Sequence, residues 1–137
     1  MDVDIYGKCG KFKCPRTNED KCYKDMAKNY KFYLSFENSV CEDYITEKFF
    51  RILKYNVIPV TYNGVDMEKF APYHSYINTL DFKGVSVLAQ YLQKVSFNNK
   101  KKILFQDVER TNYFQSYLIA CFVSVRYKVI TKPHLAR

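Results

Sequence analysis

The feature that most restricts what this chain can fold into is a strand–helix–strand pattern between residues 30 and 62. Tyr30-Lys31-Phe32-Tyr33-Leu34-Ser35-Phe36 is aromatic-rich and alternates imperfectly, as a strand does. Glu37-Asn38-Ser39 ends it. From Tyr44 to about Tyr55, Phe49, Ile52 and Leu53 follow the i, i+3, i+4 spacing of a helix with one buried face. Thr46 is the favoured N-cap, with Glu47 in the first turn. Val57 to Tyr62 is then a short β-rich run, punctuated by Asn63-Gly64. A helix between two strands joins them as parallel neighbours. Asn63-Gly64 as a hairpin turn is the alternative; the helical pattern before it and Pro72 after it favour the parallel reading.

The flanks extend this pattern. Residues 1–6 read as a strand, with Val3 and Ile5 alternating against Asp2 and Asp4. Residues 7–29 are polar and charged; Pro15 breaks any regular element there, and a short helix is expected near Lys21–Lys28. Tyr76 to Phe82 offers another strand. After Gly84, with Ser86 as the expected cap, Leu88, Tyr91, Leu92 and Val95 mark a second amphipathic helix. Residues 1–96 are thus expected to form an α/β layer sandwich. A chain of 137 residues, 47% apolar, is long enough for one domain with a real core. Four glycines and four prolines exclude collagen-like and proline-rich architectures.

The formal net charge is +8, and its location matters more than its size. Residues 1–96 carry 14 basic and 12 acidic side chains, whereas residues 97–137 carry 8 and 2. The basic excess belongs to the tail, densest at Lys100-Lys101-Lys102, and no nucleic-acid motif accompanies it. The five cysteines, Cys9, Cys14, Cys22, Cys41 and Cys121, cannot all pair within one chain. Cys9 and Cys14 are spaced C-x4-C, unlike the C-x2-C of zinc sites, so a disulfide among Cys9, Cys14 and Cys22 is the better expectation; free thiols are the other. The sequence shows no secretory signal, and Tyr113–Val125 is too short and too polar to span a bilayer.

Ligands of parallel sheets bind beyond the carboxyl ends of the strands. Here that edge carries Phe36-Glu37-Asn38 and Asn63-Gly64-Val65, with the start of the intervening helix beside them. Helix N-termini favour phosphate. Lys48 adds a full positive charge, Glu47 can accept hydrogen bonds from ribose hydroxyls, and Tyr44 can stack or donate through its phenol. The plainer alternative is a pair of solvated first-turn residues and a packed aromatic. Neither G-x-G-x-x-G nor G-x-x-x-x-G-K-[ST] occurs, which excludes standard dinucleotide folds and P-loop ATPases.

At these residues the sequence resembles a known family. Tyr30 to Ser39, followed by Asp43-Tyr44-Ile45-Thr46-Glu47-Lys48-Phe49-Phe50, resembles the donor-binding signature of the α1,3/4-fucosyltransferases. Val3-Asp4-Ile5-Tyr6-Gly7-Lys8-Cys9-Gly10, Val57-Ile58-Pro59-Val60, Phe70-Ala71-Pro72 and Ser75-Tyr76-Ile77-Asn78 are similar to further blocks in the family's order. The cysteine-rich opening is most similar to animal enzymes that act on the core of N-glycans.

The resemblance implies an α/β, Rossmann-like C-terminal half of a two-domain glycosyltransferase of the GT-B type. It implies GDP-fucose as donor, transfer with inversion to N-acetylglucosamine of a glycan, and Asn38, Tyr44, Glu47 and Lys48 as donor contacts. Lys48 would hold the diphosphate and Glu47 the ribose. No cofactor and no catalytic divalent metal are implied. The general base would lie in an N-terminal acceptor domain outside this sequence, and the whole enzyme on the lumenal side of the Golgi membrane, held by an anchor this sequence does not contain. A phosphate-contacting arginine expected just before Val3 is absent, since only Met1-Asp2 precede it. The family's paired glycines after the V-P-V strand are here Asn63-Gly64.

The expected organisation is therefore a GDP-fucose-binding domain over residues 3–96 and a divergent basic tail over 97–137 that does not follow the family. The main alternative is a catalytically incompetent module that binds nucleotide sugar or a partner protein. A nucleic-acid binder driven by the tail is the least favoured, because residues 1–96 are nearly neutral.

Overall fold

β2 (Phe32–Phe36) and β3 (Ile58–Tyr62) lie parallel, with Phe32 opposite Ile58 and Phe36 opposite Tyr62. Helix α2 (Glu47–Ile52) connects them, as the strand–helix–strand pattern predicts. The computed structural model describes residues 2–7, 10–72, 74–97 and 127–131. Within these, β1 is Val3–Gly7, α1 is Glu19–Asn29, β4 is Ile77–Asn78, α3 is Val85–Phe97 and β5 is Tyr127–Thr131. The sheet order is β1-β5-β2-β3-β4. β5 runs antiparallel to both β1 and β2, while β3 and β4 are parallel.

The imperfect alternation of β2 has a physical cause. Its strand is buried on both faces, so apolar side chains are needed at odd and even positions alike. Tyr33 packs with Tyr23 and Met26 of α1, Ile52 of α2, and Tyr30 and Val57. Phe32 and Leu34 turn the other way, toward Val60, Ile77 and the Leu92 and Val95 side of α3. Helices therefore cover both faces, and the mixed α/β sheet is Rossmann-like. Pro59 sits inside β3 without harm because β4 pairs only with Val60 and Thr61.

Several boundaries differ from expectation, each for a local reason. α2 is six residues, not the span from Tyr44 to Tyr55. Its start is fixed by Thr46, whose side chain accepts from the Lys48 N–H. Its end tightens as the Tyr55 N–H bonds the Ile52 carbonyl on the way into β3. The expected strand Tyr76–Phe82 shrinks to Ile77–Asn78, because the Asn78 side chain accepts from the Leu80 N–H and turns the chain into a 3-10 segment, Thr79–Asp81. α3 begins at Val85, so Ser86 lies in its first turn and is not the cap. Within the tail, whose structure the sequence leaves open, Tyr127–Thr131 supplies β5, inside the sheet. Lys100-Lys101-Lys102, the segment Tyr113–Val125, Cys9 and Cys121 lie outside the described residues.

Cys14 and Cys22 form a disulfide, one of the pairings the first three cysteines allow. Both sulfurs' residues flank the α1 cluster. Cys41 is free and exposed. Gly64 meets a steric demand: a Cβ there would lie 2.6 Å from the Cys41 carbonyl oxygen and 2.9 Å from its carbon. Asn63 is buried; its Oδ1 accepts from the Val65 N–H and its Nδ2 donates to Met67 Sδ.

Gly64→Ala is expected to lower stability by about 1–3 kcal/mol, because backbone must move to make room; the urea midpoint measures it. Tyrosines give an alkaline limit. Burial, then the hydrogen bond to Asp20, pushes Tyr55 up to about 12 from 10.0. Burial and bonds to Tyr6 and Asp4 push Tyr30 up as well. A raised folded-state value stabilises fully below the unfolded value of 10.0 and is lost as pH climbs through the folded one. The unfolding midpoint should hold steady to about pH 10 and fall toward pH 12, with a shallower fall for Tyr55→Phe.

Candidate functional site

Beyond the carboxyl end of β2, a carboxylate, an ammonium and a helix cap converge. Glu37 follows Phe36 directly, and its side chain is 1% exposed. Its Oε1 accepts from the Thr46 N–H at 2.9 Å and the Thr46 hydroxyl at 2.8 Å. Its Oε2 lies 2.9 Å from the same hydroxyl and 3.4 Å from Lys48 Nζ. A buried carboxylate requires this degree of pairing, since an unpaired one is too costly to keep charged.

Lys48 is held from three directions. Its ammonium donates to Asn38 Oδ1 at 3.1 Å and to the Phe36 carbonyl at 3.3 Å, besides the ion pair with Glu37. Its side chain is 12% exposed. Below it, Phe49 is fully buried among Val65, Met67 and Ala71, and its ring meets the edge of Tyr76. Burying Phe49 stabilises the α2–β3 side by about 1.5–3 kcal/mol. The rotamer of Lys48 is thus set by its neighbours before any ligand arrives.

Among the four expected site residues, the structure brings Lys48 and Asn38 into contact. Tyr44 and Glu47 stand on the same lip without joining that cluster: Tyr44 is half-buried and Glu47 exposed. Glu37 is the residue that sequence reasoning left without a role. An acidic residue directly after a strand reads as an ordinary solvated strand end, and its burial shows the role. The short α2 also corrects the electrostatic expectation. Six residues make a small dipole, and the Lys48 N–H is already taken by Thr46. The positive charge at this edge therefore comes mainly from the Lys48 side chain.

A second concavity lies one strand over, at the carboxyl ends of β3 and β4. It encloses about 340 Å³ and shares Val65 and Met67 with the wall behind Phe49. Its lining mixes Tyr76, Phe82 and Tyr91 with Asp66, Glu68 and Asp81. Among the described residues, no group of three or more His, Cys, Asp or Glu side chains is placed to hold a metal ion. None of their helices is long and apolar enough to cross a membrane.

Residues 1–116 match the family model of glycosyltransferase family 10 (fucosyltransferase), C-terminal part. The chain belongs to this fucosyltransferase family. The match runs to residue 116, into the tail expected to begin at residue 97. Similar proteins include glycoprotein 3-alpha-L-fucosyltransferase A of Drosophila melanogaster, 49% identical over 96 residues that make up 68% of this chain. Alpha-(1,3)-fucosyltransferase fut-1 of Caenorhabditis elegans is 42% identical over 134 residues, 97% of the chain. GDP-fucose protein O-fucosyltransferase 3 of Xenopus tropicalis is 36% identical over 111 residues, 75% of the chain. The aligned parts make up only 19%, 30% and 24% of those three relatives.

Breaking the Glu37 cluster should cost stability before it costs anything else. Glu37→Ala leaves Lys48 and the Thr46 N–H without their buried partner, and a loss of about 3–5 kcal/mol is expected. Glu37→Gln, which keeps one acceptor for Thr46, should lose less. Equilibrium unfolding of both variants beside the wild type checks the order.

Proposed function

We propose that this fucosyltransferase-family chain binds the GDP-fucose donor at the edge built by β2 and α2, as the nucleotide half of a two-domain, GT-B-type α1,3-fucosyltransferase. The observation that supports this best is the pre-set Lys48 ammonium. It sits at the strand end where parallel sheets bind ligands, held by a buried carboxylate that cannot leave. A diphosphate oxygen takes the place of Asn38 Oδ1 on Lys48, and the freed Asn38 amide turns to the ligand. Glu47, exposed on the same lip, accepts from ribose hydroxyls, and Tyr44 flanks the nucleoside.

The chemistry follows from that placement. Transfer of a glycosyl group passes through an oxocarbenium-like state while the diphosphate departs with growing negative charge. A cation already in position stabilises that charge with little reorganisation. The acceptor hydroxyl also needs a base. In this reading the base belongs to a separate acceptor-binding domain, and the reaction inverts the anomeric centre. The name of one relative, a GDP-fucose protein O-fucosyltransferase, supports the donor, and that of another, a glycoprotein 3-alpha-L-fucosyltransferase, supports a different acceptor. For this chain, the higher identity to the α1,3 enzymes supports α1,3 transfer; in this reading the acceptor is N-acetylglucosamine of a glycan and the setting the Golgi lumen. The Cys14–Cys22 disulfide suits an oxidising compartment.

Calorimetric titration of the 137-residue chain with GDP, AMP and UMP tests the donor site. GDP should bind most tightly. Lys48→Ala should weaken GDP by about ten- to a hundredfold, the loss of one charge-assisted contact of roughly 1.5–3 kcal/mol. Equal or absent binding of all three nucleotides by folded protein would overturn the reading.

A further inference from the structure

We propose that the concavity at the ends of β3 and β4 is a pyranose-binding pocket, with Asp81 and Glu68 as its hydroxyl acceptors and Tyr76 and Tyr91 as its apolar walls. About 340 Å³ is at the small end of ligand pockets, which run from roughly 300 to 1,000 Å³. It is ample for one sugar ring.

The lining decides the class of ligand. Three carboxylates, Asp66, Glu68 and Asp81, against the single imidazole of His74, disfavour phosphate. They do not converge as a metal site, since no group of three or more metal-ligating side chains meets among the described residues. Asp66 is occupied in any case, because its carboxylate caps the Glu68 N–H and pairs with Lys69. Glu68 and Asp81 are exposed at the rim. A ring bearing several hydroxyls suits carboxylate acceptors at a rim, because hydrogen bonds from hydroxyls to carboxylates are among the strong ones. Asn78 adds an amide donor; its Oδ1 is spent on the Leu80 N–H.

The walls complete the match. Tyr91 packs against Phe82 with ring centroids 5.1 Å apart, and Tyr76 leans on Phe49 at 6.1 Å. These half-buried rings are held by their neighbours and offer apolar surface to the C–H faces of a sugar. The choice of a sugar over an organic cation rests on the proposed function. The pocket shares the Val65–Met67 wall with Phe49, the residue after Lys48, so a ring lodged there lies beside the diphosphate edge.

The sugar has two sources, the fucosyl group of the donor or a sugar of the acceptor, and the test separates them. The full chain is titrated with GDP, GDP-fucose, L-fucose and N,N′-diacetylchitobiose, followed by calorimetry and by amide chemical shifts of residues 64–91. Asp81→Asn and Glu68→Gln replace exposed carboxylates and are expected to fold. If the donor sugar is the occupant, GDP-fucose binds at least fivefold more tightly than GDP, and each variant removes that gain while leaving GDP unchanged. If the acceptor is the occupant, chitobiose shifts the 64–91 amides and each variant weakens it at least fivefold. A sugar that binds in an Asp81-dependent way while GDP does not bind keeps the pocket and overturns the donor site at Lys48. Equal affinity for GDP and GDP-fucose with no saccharide response, or sugar binding indifferent to both substitutions, overturns the pocket.

Discussion

Glu37 is the residue on which the upper edge of this fold depends. One buried carboxylate ties the end of β2 to the cap of α2 and also holds Lys48. Without it, the N-cap of a six-residue helix would have only its own hydroxyl to fix it, and so short a helix is not stable from propensity alone. The same carboxylate neutralises the ammonium in the unliganded state, so the site carries a cation without exposing a strong field. Its stabilising role and its positioning role cannot be separated by removing the side chain, because both act through the same two oxygens.

The two concavities share one scaffold but differ in chemistry. The β2–α2 edge is built around a lysine; the β3–β4 pocket is built around carboxylates and aromatics. The wall between them is apolar and close-packed, with Phe49 at its centre. A rigid wall of this kind sets the distance between what binds on either side. Gly64 belongs to the same construction, since the close approach of its turn to the Cys41 backbone joins the loop after β3 to the loop before α2.

Much of the fold was legible because its signals are local. The parallel β2–α2–β3 unit, the Thr46 cap and the α3 face follow from periodicity and capping, and the structure keeps them. What was hidden depends on long-range partners. The ends of α2 and β4 are set by single hydrogen bonds of Thr46 and Asn78 that compete with the regular pattern. Glu37 looked like a strand-ending polar residue, and only its burial reveals the role. The place of Tyr127–Thr131 between β1 and β2 has no local signature at all, because it is defined by strands roughly a hundred residues earlier.

That placement has a consequence for how the chain reaches its structure. Among the described strands β1 pairs with β5, with Val3 opposite Thr131, and its other backbone bonds go to the nearby Phe12. β1 must therefore wait for the last described strand before that edge is covered. Closing so long a loop is slow, and pairings of this separation dominate the time a domain needs to fold. Meanwhile β2, α2, β3 and β4 can assemble among themselves, since their contacts lie within about fifty residues. Until residue 131 arrives, the half-sheet keeps a bare β2 edge with β1 unpaired beside it, surfaces open to chaperones or stray strands.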